Sequence, residues 1–189
     1  VDKHAKIELL RHNSFVFEAD LTLDEMEWTR ILGPSGLGDR LLREMVGMGA
    51  DFFEVSDPDH QYNHNGEVLF LKLEGADHEF RLDYDQPFVA SLQEAVRQVL
   101  DGVNAALRRQ MVAFRYICVR DTCTGAGCTY RLMLMPTPWL RELEDKLNVV
   151  AGVSVEDYEA QRPFSPIDFP QVDLPESGRR DLGGPMEAR

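Results

Sequence analysis

The stretch Glu67-Val-Leu-Phe-Leu-Lys-Leu-Glu-Gly-Ala-Asp-His-Glu-Phe-Arg-Leu-Asp-Tyr84 decides the fold class. It holds two short β-rich runs, Glu67–Leu73 and Glu79–Tyr84, on either side of a break at Glu74-Gly75-Ala76-Asp77. In the second run Phe80, Leu82 and Tyr84 fall on one face and Glu79, Arg81 and Asp83 on the other, which is the two-residue period of a half-buried strand. Upstream, Phe52–Val55 is a third run, set off by Ser56-Asp-Pro-Asp59 and by Asn65-Gly66. Asn-Gly suits a type I′ hairpin, because both central residues of that turn need positive φ. The three runs predict an antiparallel meander with an acidic outer face.

Working outward, Ile7–Leu10 and Phe15–Ala19 predict strand material broken near His12-Asn13-Ser14. Thr22-Leu-Asp-Glu25 has the spacing of a capping box, so a helix is expected from Leu23 until Gly33-Pro34 stops it. Gly33-Pro-Ser-Gly-Leu-Gly38 reads as a flexible joint before a second helix over Asp39–Met48. Beyond the meander, Pro87 opens an amphipathic helix in which Phe88, Leu92, Val96, Val99, Val103 and Leu107 recur at three- and four-residue steps, ending near Gln110. Val112–Arg120 and Thr129–Met135 predict a second hairpin around Thr124-Gly-Ala-Gly127. Thr137-Pro138 starts a helix through Asn148 that buries Trp139, Leu140, Leu143 and Leu147, and Ser154-Val-Glu-Asp157 caps one further turn. After Arg162 the periodicity ends, and five of the ten prolines fall in the last 28 residues. The expectation is one α+β domain over residues 1–161, with a mostly antiparallel sheet of five to seven strands and three or four helices on one face. Residues 162–189 are expected to form an extended Pro-rich tail.

The 189 residues carry 33 acids against 20 Lys and Arg, a formal charge of −13. Residues 51–86 alone hold ten acids and two bases. This balance excludes a DNA-phosphate binder, which needs a basic surface. Apolar runs of four or five residues exclude a bilayer-spanning helix of roughly 20. The N-terminal residues lack the apolar centre of a signal peptide, and three cysteines do not make a secreted disulfide framework, so a cytoplasmic location is expected.

Cys118, Cys123 and Cys128 are spaced C-x4-C-x4-C. In a symmetric four-residue loop Cys123 and Cys128 oppose each other at the hairpin neck, where they could be free thiols, a disulfide, or metal-binding or reactive thiols. Cys118, inside an apolar strand, reads as core packing. His60 and His64 lie four apart, on one face of a strand, and with Asp57, Asp59, Cys123 and Cys128 would make a mixed zinc site if the fold joined the two loops. Otherwise they are solvated histidines at a polar hairpin tip. Zinc is the one cofactor this leaves open. A calcium loop fails, because placing Gly66 at its turn position puts Gln61 first and Lys72 last. No nucleophile elbow, phosphate loop, dinucleotide fingerprint or H-E-x-x-H motif occurs.

The function expected is therefore a non-enzymatic acidic protein-binding domain for a partner with a basic surface, and not for nucleic acid or membrane. An immunity-type inhibitor of a basic toxin is one form of it, and a subunit of a larger assembly docked through its C-terminal tail is another. The residues expected to meet the partner are Asp57, Asp59, Glu67, Asp77, Glu79 and Asp83 on the meander and Phe164 and Phe169 on the tail. The alternative is a small metal- or thiol-dependent enzyme built on Cys123, Cys128, His60 and His64.

Overall fold

A computed structural model describes residues 2–19, 36–63, 66–83, 92–124 and 127–154. In chain order the elements are α1 (Lys3–His12), β1 (Ser14–Ala19), α2 (Gly36–Gly49), β2 (Val55–Asn63), β3 (Gly66–Leu73), β4 (Ala76–Asp83), α3 (Leu92–Arg109), β5 (Phe114–Thr124), β6 (Gly127–Pro136), α4 (Thr137–Leu143), a 3-10 turn (Glu144–Lys146) and β7 (Val149–Ala151). The α+β class holds, and the described residues form seven strands divided between two antiparallel sheets ordered β1-β6-β5-β7 and β2-β3-β4.

Helices α2 and α3 touch strands of both sheets, whereas α1 and α4 pack on β6 and on each other. The four-stranded sheet is consequently covered from both sides, and β5 buries six consecutive residues, Phe114 to Val119. The three-stranded sheet has helices on one face only among the described residues. Its central strand β3 alternates accordingly, with Leu69, Leu71 and Leu73 buried and Val68, Phe70 and Lys72 half-exposed. Each buried leucine contributes roughly 1.5–3 kcal/mol of transfer free energy. The amphipathic helix predicted beyond the meander is α3, and it buries Val96, Val99, Leu100, Val103 and Leu107 as its period requires.

Several local expectations are corrected. Ile7–Leu10 is helical: Asp2 caps α1 by accepting the Ala5 N–H at 2.8 Å, and Lys6 lies over the Trp139 ring and pairs with Glu142 on α4. A four-residue apolar run carries no period of its own, so the cap and the neighbouring helix decide. Of Phe52–Val55 only Val55 is strand, and Phe52 and Phe53 instead pack on Phe114. Ser56-Asp-Pro-Asp59 is not a turn between strands but a bulge within β2. Ser56 pairs with Lys72 and Asp59 with Phe70, so three steps on β2 oppose two on β3. Asp57 takes a φ of 53° there, and Pro58 sits where no ladder N–H is needed. The following turn is closed by Asn63 with Gly66, which makes Gly66 the first residue of β3 rather than part of the turn. Both strands of the second hairpin run further toward its tip than predicted. Helix α4 stops at Leu143 and passes through the 3-10 turn into the short edge strand β7. The Thr22–Glu25 cap, the start of the long helix at Pro87, the Ser154–Asp157 turn beyond its first residue and the whole 162–189 tail lie outside the described residues.

Candidate protein-binding surface

Strand register assembles the outer face of the three-stranded sheet. Phe70 on β3 stands opposite Asp59 on β2 and Glu79 on β4, which makes a row with an apolar centre and a carboxylate at each side. The next row is Gln61, Val68 and Arg81, and on the other side Lys72 pairs with Ser56 and Asp77. Asp59, Asp77 and Glu79 are exposed, as is Asp57 in the bulge, whereas Val68 and Phe70 are half-exposed. Arg81 bonds Glu79 at 3.1 Å, and Asp59 accepts the backbone N–H of His60 at 2.8 Å. Asp83, at the end of β4, pairs in register with Gly66. Four of the six meander carboxylates expected to meet a partner thus project at or beside one exposed face.

Glu67 does not belong to that face. It is in phase with Leu69, Leu71 and Leu73, is wholly buried, and accepts the Asp39 N–H in the first turn of α2 at 3.1 Å. A carboxylate bonded to the first turn of a helix opposes the positive end of the helix dipole. Asp39, itself buried, holds Arg43 at 2.9 Å and lies 3.0 Å from Nδ1 of His60. The hydrogen bond to Asp39, followed by its charge, pushes the Arg43 guanidinium pKa up. Tyr62, opposite Glu67, has its hydroxyl pushed up to about 12, by burial first and then by the Glu67 and Asp39 charges. This inner cluster of Asp39, His60, Glu67 and Arg43 joins α2 to the sheet. Its sequence signal is the even spacing that places Glu67 on the leucine side of β3.

Cys123 and Cys128 are directly opposed in register and form a disulfide across the β5–β6 hairpin. Two sulfurs bonded to each other are not thiolates, so the zinc site drawn from Cys123, Cys128, His60 and His64 loses both sulfur ligands. His60 faces Asp39 on the inner side of the sheet, and His64 lies outside the described residues, as do Phe164 and Phe169. Among the described residues no group of three or more His, Cys, Asp and Glu side chains is arranged to hold a metal ion. Cys118 is buried, as its strand position predicts, and burial pushes its thiol up to about 12. No described helix is long and apolar enough to cross a membrane.

Comparison with known proteins supplies no relative: no family model matches the sequence, and no curated protein or solved structure matches it.

Proposed function

We propose that this chain is a non-enzymatic acidic binding domain whose outer β2-β3-β4 face receives a protein with a basic surface. The observation that carries the reading is the row Asp59–Phe70–Glu79, an apolar side chain flanked by carboxylates on both neighbouring strands. Such a row matches lysine and arginine, whose aliphatic stems lie along Phe70 and Val68 while their charged heads reach the flanking acids. The excess of acid over base across residues 51–86 supplies a field that speeds encounter with a positive partner and repels a negative one. An immunity-type inhibitor of a basic toxin is the narrower form of this function. The disulfide weighs against the thiol-dependent alternative.

The test is affinity capture on the immobilised chain, followed by calorimetry with the identified partner at low and high salt. A basic partner is expected, bound at least tenfold more weakly by an Asp59→Lys/Glu79→Lys variant and more weakly by wild type as salt rises. A partner that binds the double variant and the wild type equally well, or one without a basic surface, overturns the reading.

A further inference from the structure

Among the described residues the two sheets present four edge strands, β1, β7, β2 and β4, and three of them are blunted. Strand β7 has only three residues. Strand β2 is bent by its bulge and carries Pro58 with Asp57 and Asp59, and β4 carries Asp77, Glu79 and Asp83. Short length, bulges, prolines and charge are the devices that keep an edge from pairing with another chain.

Strand β1 has neither bulge nor proline, and a single charged residue, Glu18, near its end. Ser14-Phe-Val-Phe-Glu-Ala19 pairs with β6 residue for residue and without a bulge, and on its other side no described strand pairs with it. Val16 is 42% exposed, one of three large apolar side chains so exposed among the described residues. On the other face Phe15 and Phe17 are only half-buried, stacked at 5.9 Å, with Phe17 stacked on Tyr130 at 5.8 Å and Arg40 over Phe15.

We infer that β1 is a self-association edge, and that its occupant is β1 of a second copy of this chain, antiparallel about Val16. The sequence of the strand selects this occupant, because an antiparallel pairing centred on Val16 is self-complementary. Val16 meets Val16, so the exposed apolar side chains cover each other. Phe15 meets Phe17 of the other copy, which carries the Tyr130–Phe17 row across the twofold axis, and aromatic cross-strand pairs contribute roughly 0.2–1 kcal/mol each. The strand's one charged residue, Glu18, stands opposite Ser14 rather than opposite its own copy, so no like charges meet in register. The symmetry consumes one edge from each copy and joins two four-stranded sheets into one, which closes the assembly at two chains. Each copy as a whole carries a formal charge of −13, so salt strengthens this association by screening. A basic partner shows the opposite dependence, and the inference stands whether or not such a partner exists.

The test is sedimentation equilibrium over a concentration series up to about 1 mM, a range that registers even weak association. The weight-average mass of wild type is expected to rise toward twice that of one chain, and to rise further in high salt. Val16→Lys, at an exposed position, is expected to keep the wild-type circular dichroism and the mass of one chain throughout. Oxidised Val16→Cys is expected to link covalently into dimers, since opposed strand residues lie within disulfide reach. Glu18→Cys, opposite Ser14, is expected not to. A wild type that keeps the mass of one chain at every concentration, a Val16→Lys variant that still dimerises, or a Glu18→Cys variant that links as readily as Val16→Cys each overturns the proposal.

Discussion

Glu67 Oε1 accepts the backbone N–H of Asp39 at 3.1 Å, so a side chain in the centre of one sheet caps the helix packed upon it. The approach requires Gly38: a Cβ there would stand 2.6 Å from Glu67 Oε2. Glu67→Ala removes this buried hydrogen bond to a charged acceptor, at a cost of about 1.5–3 kcal/mol. Glu67→Gln keeps an acceptor and is expected to lose less. Urea unfolding measures both, and a Glu67→Ala midpoint equal to that of wild type would show that the cap contributes nothing.

That same residue marks what was legible in the sequence. The meander, the second hairpin and the long helix were readable because each repeats its period over several turns or strand steps, as in Phe80 and Leu82 against Glu79 and Arg81. Glu67 departs from the expected acidic face because phase outweighs charge: it follows the leucine side of β3, and the two-residue period places it inside. Ile7–Leu10 was too short to show a period, and the contacts of Lys6 that fix it as helix come from α4, some 130 residues away in sequence. The bulge at Asp57 was hidden because Asp-Pro marks a turn in most contexts, and only the pairing with β3 makes it an interruption within a strand. The opposition of Cys123 to Cys128 was readable from the loop length, whereas their bond was one of several open outcomes.

Asn104 and Tyr116 exchange two hydrogen bonds, the Asn Nδ2 donating to Tyr116 O at 2.8 Å and the Tyr116 N–H donating to Asn104 Oδ1 at 2.9 Å. Asn104 also donates to Gly152 O, so one buried amide ties α3 to β5 and to the segment after β7. Asn104→Ala orphans both backbone groups of Tyr116 and is expected to cost about 2–4 kcal/mol in equilibrium unfolding. Asn104→Asp keeps the acceptor but buries a charge and loses the donor, and is expected to be at least as harmful. Wild-type stability in Asn104→Ala would remove this amide from the account of how the helix docks.

Thiol chemistry gives a third expectation. Before reduction the folded protein should show no titratable thiol, because Cys123 and Cys128 are bonded and Cys118 is buried with its pKa pushed up to about 12. Mild reduction should release two reactive thiols, and unfolding a third. Because the bond closes a loop of only a few residues, the Cys123→Ser/Cys128→Ser variant should fold and lose about 2 kcal/mol. Two thiols reactive in the unreduced folded protein would show that the pair is free.

His78 supplies the pH dependence. It stands on the inner face of β4, opposite Leu71, with its Nε2 3.3 Å from Nε2 of Gln110. Burial, and then the charge of Arg109, hold its imidazole below the ordinary value of 6.5, against a smaller opposite pull from Asp77. The Gln110 amide can donate to Nε2 only while that nitrogen is unprotonated, so the geometry also favours the neutral ring. The unfolded chain therefore takes up this proton more readily than the folded one. Stability from His78 is present above about 6.5 and is lost as pH falls through its lower folded-state value. Arg109→Ala should move the titration part of the way back toward the ordinary value, and His78→Gln should flatten stability over that acidic interval. Ring-proton NMR of the folded protein measures the titration directly, and a midpoint at or above the ordinary histidine value would contradict this arrangement.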